Sequence, residues 1–154
     1  MTQPRLERLD PGHDLDGFES GHPDLDGWLR RHALAAQQMD SVRTFVLTRD
    51  GRRIVGYFSL TMGSVLRTDA PPKLVRGLPA YPVGMVLLAR LAVDRRDQGQ
   101  GLGALLLAEA LRKAVAAGEA AAARLIVVDA VDDQAVRFYQ RYGFLAVAKH
   151  PRRL

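Results

Sequence analysis

The stretch Val86 to Ala108, VLLARLAVDRRDQGQGLGALLLA, constrains this 154-residue chain more than any other part of it. An apolar run interrupted only by Arg90 breaks into a charged turn. Three alternating glycines follow, Gly99, Gly101 and Gly103, and then an Ala/Leu-rich segment. The order reads as strand, glycine turn, helix. Glycines let the backbone come close to a ligand, and the unpaired N–H groups and positive dipole end of the next helix favour an anion there. The expected chemistry involves a phosphorylated ligand.

Spacing separates the ligand classes that use such a turn. A P-loop needs Lys and Ser or Thr just after its last glycine, whereas Gly103 is followed by Ala104, Leu105 and Leu106. A dinucleotide fingerprint is formally met by Gly99, Gly101 and Ala104, with Asp129 ending the next apolar run where a ribose-binding acid could sit. Its context is poor. Five residues, Asp94 to Gln98, separate the strand from the first glycine, and 25 residues after Asp129 are too few for a second nucleotide-binding half.

Zero cysteines exclude disulfides, thiolate metal sites and a Cys nucleophile. The longest uncharged runs, Ile54 to Leu66 and Gly77 to Ala89, have 13 residues each, short of the roughly 18 that a membrane helix needs. The expectation is one globular domain over residues 1–154, located in the cytoplasm, with no membrane association and no metal. Charge is uneven. Seven acids and two arginines fall in the first 26 residues, leaving 20 of the 22 basic residues against 10 of the 17 acids, a net +10. Such a body attracts polyanions, nucleic acid above all, and a solvated Arg-rich surface is the bland alternative.

In chain order, a first strand is expected around Arg5 to Leu9. A helix then opens at Pro23, with Leu25, Trp28, Leu29, His32, Ala33, Ala36 and Met39 at helical spacing and Arg30 and Arg31 projecting elsewhere. Trp28 reads as core, His32 as a helix flank. Val42 to Thr48 and Ile54 to Val65 read as an antiparallel pair joined by Asp50-Gly51. Arg67 to Pro82, with four prolines, is an irregular crossing loop with room for one turn over Lys73 to Arg76. A helix over Gly101 to Ala117 stops at Gly118. A buried strand over Arg124 to Val128 runs parallel to the Val86 strand, and a further helix begins near Asp132 and Asp133 and ends at Gly143. A last strand, Phe144 to Ala148, and a basic tail of Lys149, His150, Arg152 and Arg153 complete the chain. The fold class is thus α/β with a mixed sheet, antiparallel N-terminal strands followed by β-α-β-α-β.

The run Gln98-Gly99-Gln100-Gly101-Leu102-Gly103 resembles the Q/R-x-x-G-x-G/A signature of the GCN5-related N-acetyltransferases, the GNAT family. The element order matches that family too, and Phe138-Tyr139 with Tyr142-Gly143-Phe144 resembles its F-Y-x-x-x-G-F segment. The resemblance implies an acyl-CoA N-acyltransferase fold with acetyl-CoA as cofactor. It implies a coenzyme site of Leu91, Ala92, Val93, Gln98, Gly99, Gln100, Gly101, Leu102, Gly103, Ala104, Phe138 and Tyr142, and Tyr139 as the acid for the leaving thiolate. Packing on the pantetheine is the alternative for Tyr139.

More narrowly, Phe18 through Trp28-Leu29, Gly56-Tyr57, Leu88 to Asp94 and Val128-Asp129-Ala130 are similar to the GNAT toxins of toxin–antitoxin modules, which acetylate the α-amino group of aminoacyl-tRNA. This implies an aminoacyl-tRNA substrate held by Arg30, Arg31, Lys73, Arg76, Arg90 and Arg95. It also implies a small DNA-binding antitoxin of ribbon-helix-helix type and a homodimer. Arg90 either faces outward or binds a substrate phosphate. The residues before Tyr139, Asp132 to Phe138, do not contain the asparagine that some relatives place there.

An absence favours the α-amine. A lysine ε-amine with pKa near 10.4 needs a good general base to become nucleophilic, whereas an α-amine near 7.7–8.0 needs far less help. Val86 to Val93 contains no Asp or Glu. Acetylation of a small amine or a protein N-terminus, and a non-catalytic acetyl-CoA-binding module, are the alternatives.

Overall fold

The computed structural model describes residues 3–78, 82–147, 150 and 152–154. Pro79 in the proline-rich loop, and Ala148 and Lys149 near the C-terminus, lie outside the described residues. Five strands form one sheet in the order β1-β2-β3-β4-β5: β1 Arg5–Arg8, β2 Arg43–Thr48, β3 Ile54–Val65, β4 Val83–Val93 and β5 Leu125–Val128. The helices are α1 Pro23–Arg31, α2 Ala33–Gln38, α3 Pro72–Val75, α4 Leu102–Ala121 and α5 Asp133–Arg141. β1 and β2 pair antiparallel, as do β2 and β3, whereas β4 and β5 are parallel. The mixed sheet expected from the sequence is present.

The chain divides into two compact units, one of Met1–Thr61 with Arg90–Ala110 and one of Met62–Ala89 with Leu111–Leu154. In the first, the β2–β3 hairpin turns at Asp50-Gly51, where Gly51 has φ 80° and the Asp50 carboxylate accepts from the N–H groups of Arg52 and Arg53 at 2.9 and 2.8 Å. These backbone bonds, that from Arg52 foremost, hold the Asp50 carboxyl below its ordinary value. Gly56 on β3 is a packing device. A Cβ there would stand 2.7 Å from Leu106 of α4 and 3.1 Å from the Ala92 carbonyl of β4, so only glycine lets the start of α4 lie this close to the strands. Phe18 and Tyr57 meet edge to face at 5.5 Å, and the Tyr57 hydroxyl donates to the Leu25 carbonyl at 2.8 Å, anchoring α1.

The single helix expected from Pro23 to Met39 is broken at His32, whose φ −125° and ψ −25° leave the helical region. The break shifts the phase of the apolar stripe. Ala33 stays buried, but Met39 falls at the end of α2 and is 78% exposed, contrary to its expected place on the buried face.

In the second unit, Ala70, Val75 and Val83 form a small core with Val65, Leu78 and Leu125, so the proline-rich loop is anchored by its own apolar residues. The turn expected over Lys73 to Arg76 is α3, one residue earlier. α4 does not stop at Gly118. It runs to Ala121, and Ala122 takes the left-handed conformation at φ 58° while the Ala123 N–H reaches back to the Gly118 carbonyl at 3.0 Å. That six-to-one bond closes the helix, and Gly118 is used because a Cβ there would meet the Ala123 carbonyl at 3.3 Å. α5 begins at the Asp132 cap, whose carboxylate accepts from the Ala135 N–H at 2.8 Å, and ends at Gly143 with φ 95°.

The strand expected over Phe144 to Ala148 is replaced, among the described residues, by an isolated bridge between Val147 and His150. Its first residue is still tied to the helix, because the Phe144 N–H donates to the Tyr139 carbonyl at 3.2 Å. Leu154 pairs with Val128 of β5 in both directions, at 2.9 and 3.0 Å.

Candidate active site

In the first unit, β4 ends at Val93 and Asp94 caps a single 3₁₀ turn over Arg95–Asp97, accepting from the Arg96 N–H at 2.9 Å. Gln98 then spends its side-chain amide on two carbonyls, Ser20 at 2.8 Å and Val93 at 2.9 Å, so its contribution is to fix where the turn begins. Gly99 and Gly101 have φ 82° and 78°, and a Cβ on either would meet nothing within 4 Å. The turn is therefore glycine-built for its dihedrals, and it faces open space. Gly99, Gln100 and Gly101 are exposed, Leu102 is buried, and Gly103 and Ala104 are half-buried. The Leu105 N–H is bonded to the Gly101 carbonyl at 3.2 Å, whereas the N–H groups of Leu102, Gly103 and Ala104 precede the point at which a helix can supply acceptors one turn back. Those donors and the helix dipole suit a phosphate. On β4, Ala92 is buried with Leu91 and Val93 half-buried.

Beside the turn lies a charge cluster that sequence reasoning missed. The Asp94 side chain is 1% exposed, and its carboxylate accepts from the Glu19 N–H at 3.1 Å and from Arg96 Nε at 3.0 Å. Burial alone would raise its pKa, but the bonds from Arg96 and Glu19 outweigh burial and hold the carboxyl below its usual value. Asp97, buried as well, takes Arg49 Nη1 on Oδ1 at 3.0 Å and Arg53 Nη2 on Oδ2. Arg49 Nη2 also donates to the Gln100 side chain at 3.3 Å. The signal in the sequence was two acids three residues apart in a turn flanking an apolar strand. The arginine partners of Asp97 are 44 and 48 positions away and the Glu19 N–H is 75 from Asp94, separations that could not be read from spacing.

Arg90 places its guanidinium 3.9 Å from the centroid of the Trp28 ring, which is stacked in turn on Tyr57 at 6.4 Å with an interplanar angle of 11°. Trp28 is half-buried, so it is core on one face and a cation platform on the other. Of the other expected substrate cations in this unit, Arg30 donates to the Phe18 carbonyl at 3.1 Å, and Arg31, exposed, folds back over Gly27. Arg95, 64% exposed, lies 3.5 Å from Glu19. Lys73 and Arg76 belong to the second unit, where both are exposed.

The second unit holds Tyr139 in an aromatic cluster. Its ring meets Phe138 and Phe144 edge to face at 5.3 and 5.6 Å, and Phe138 touches Tyr142 at 5.1 Å. Tyr139 is 3% exposed, whereas Tyr142 is 47% exposed. Burial, reinforced by the negative charge of Asp129, pushes the Tyr139 phenol well above its ordinary pKa, so the proton stays on oxygen at neutral pH. Among the described residues no side chain or carbonyl accepts that proton. Asp129 is itself engaged by Arg153, Nε to Oδ1 at 2.8 Å and Nη2 to Oδ2 at 3.0 Å.

The glycine turn and the aromatic segment both fall within residues 12–144, which match the model of the acetyltransferase (GNAT) family. The chain belongs to the GNAT family. It is accordingly an N-acetyltransferase that uses acetyl-CoA. This GNAT chain is 44% identical over 137 residues to the tRNA-acetylating toxin of Mycobacterium tuberculosis, covering 89% of itself and 81% of that protein. It is also similar to the solved structure of AtaT complexed with acetyl-methionyl-tRNAfMet, with a TM-score of 0.89, 28% identity and coverage of 99% and 93% of the two chains. A third likeness is to a tyrosine-to-phenylalanine mutant of the AtaT toxin bound to the C-terminus of the antitoxin AtaR and acetyl-CoA, with a TM-score of 0.81, 28% identity and coverage of 98% and 91%. Among the described residues of this GNAT protein, no helix is long and apolar enough to cross a membrane.

Proposed function

We propose that this enzyme is a toxin that transfers the acetyl group of acetyl-CoA to the α-amino group of aminoacyl-tRNA and so blocks translation. The observation that carries this reading is the 44% identity to a tRNA-acetylating toxin across 89% of the chain. A feature of the chain itself supports it: β4, Val83–Val93, has no acidic residue to serve as a base, which suits an amine that is already largely neutral near pH 8.

In this scheme the main-chain N–H groups at Gly101 to Ala104 bind the pyrophosphate of the coenzyme. Leu91, Ala92, Val93, Phe138 and Tyr142 flank the rest of it. The neutral α-amine attacks the thioester carbonyl, the C–N bond forms and the C–S bond breaks. Tyr139 donates its hydroxyl hydrogen to the departing sulfur, and the proton released from the acylated nitrogen restores the balance, leaving an amide and a thiol. Arg30, Arg31, Arg90, Arg95, Lys73 and Arg76 bind tRNA phosphates. The same reading gives the protein a ribbon-helix-helix antitoxin with an acidic tail, and a homodimeric state.

The direct test incubates the protein with labelled acetyl-CoA and a mixture of charged and uncharged tRNAs. Label on the aminoacyl group, lost when the ester is hydrolysed beforehand, is the expected result. Robust labelling of lysine peptides or small amines with none on tRNA sinks the reading.

A further inference from the structure

The Arg49–Asp97–Arg53 cluster performs no step of acetyl transfer, yet its geometry converges on the glycine turn. Arg49 and Arg53 flank the tip of the β2–β3 hairpin, and both reach the buried Asp97 carboxylate, Arg49 at 3.0 Å. Arg53 also stands 3.6 Å from Asp94. Two carboxylates this deeply buried require such counter-charges. Arg49 goes further, because its second nitrogen donates to Gln100 Oε1 at 3.3 Å. Asp97 and Gln100 lie on either side of Gly99, so one planar guanidinium spans the first left-handed glycine of the turn.

We infer that Arg49 is a positioning residue for acetyl-CoA: by tying Asp97 to Gln100 across Gly99 it holds the Gln98–Gly103 turn in the form that receives the pyrophosphate. The inference rests on the assignment of that turn to the pyrophosphate. A glycine turn samples many conformations when unsupported, and ordering it on binding costs affinity. Arg49 removes that cost beforehand. A lysine keeps the charge but cannot fork between two acceptors. Arg53 continues to neutralise Asp97 when Arg49 is lost, which preserves the fold.

The test measures two affinities in wild type, Arg49→Lys, Arg49→Ala and Gln100→Ala: acetyl-CoA by calorimetry, and acetyl-pantetheine, which lacks the pyrophosphate, by displacement. Wild type binds acetyl-CoA far more tightly than acetyl-pantetheine. Each Arg49 variant weakens acetyl-CoA about tenfold, Gln100→Ala severs the same tie from its other end and weakens it about threefold, and acetyl-pantetheine changes less than twofold throughout. If Arg49→Lys binds acetyl-CoA like wild type, charge alone suffices and the inference is overturned. If both ligands weaken together, the damage is general and the inference is equally overturned. If wild type binds the two ligands alike, the turn is not the pyrophosphate site, and that assignment falls along with the role of Arg49.

Discussion

The Gln98–Gly103 turn and the Tyr139 cluster belong to different compact units and use opposite physics. The turn offers main-chain donors, exposed glycines and a rim of charge, and its specificity resides in dihedrals that side chains rarely adopt. The tyrosine offers one hydroxyl on a ring enclosed by two phenylalanines, and its protonation is controlled by dehydration. The difference teaches where substitution is tolerated: the turn is sensitive to any Cβ, the cluster to the loss of a single oxygen.

The harshest way to break this comparison is Gly101→Leu. The left-handed backbone alone costs a non-glycine residue about 1–2 kcal/mol, and the new side chain fills the space where the phosphate would sit. Acetyl-CoA binding by calorimetry should vanish while the fold persists. Unchanged affinity would remove the phosphate assignment. On the other side, Tyr139→Phe keeps the ring and deletes the proton. Turnover should fall by a factor on the order of 10²–10⁴ with acetyl-CoA affinity close to wild type, because the loss is confined to the transition state. Full activity would make Tyr139 a packing residue.

Asp94→Asn probes the scaffold of the turn. The folded-state pKa of Asp94 is lowered below 3.8, so its ionised form contributes stability above the unfolded value, and that contribution disappears as pH falls through the folded one. At pH 7 the variant should lose about 2 kcal/mol, the scale of a charged hydrogen bond. Melting curves of the two proteins should converge only once pH has fallen through the lowered folded-state value, where a protonated Asp and an Asn become alike. A gap that persists there would mean that shape, and not charge, is lost.

Arg30 and Arg31 separate surface from support. Neutralising Arg31 should reduce the salt slope of tRNA binding by about one unit and leave acetyl-CoA binding intact. Arg30→Gln should add a loss of melting temperature, since Arg30 also holds the Phe18 carbonyl. A slope unaltered by both changes would place the tRNA elsewhere. The smallest effect sharpens the contrast in backbone. Ala122 has φ 58° without being glycine, so Ala122→Gly should stabilise the protein by about 0.5–1 kcal/mol, raising the melting temperature by about 2 °C. Lower stability would show that unfolded-state entropy outweighs the relief.

What the sequence made legible was what local physics controls. The glycines at 99 and 101, the Asp50-Gly51 hairpin and the cap at Asp132 all express dihedral or capping demands of nearby residues. The end of α4 was misread because Gly118 serves close packing while an alanine takes the left-handed cap, an inversion no local preference signals. The break at His32 lies in that residue's own non-helical dihedrals, and the Phe144 N–H is spent on the Tyr139 carbonyl at the end of α5; neither is signalled by side-chain periodicity. Tyr139 was singled out by its motif. The supports at Arg49, Arg53 and Asp97, and the stacking of Arg90 on Trp28, depend on pairings across 41–62 positions and carry no periodic trace.

The bond from the Glu19 N–H to Asp94 joins residues 75 positions apart, and Gln98 reaches the Ser20 carbonyl across 78. A chain made from its N-terminus at about 5–20 residues per second carries Glu19 and Ser20 for about 4–15 s before their partners exist. The glycine turn is thus assembled late in synthesis, after about two-thirds of the chain has emerged from the ribosome, and Tyr139 follows it by a further 36 residues.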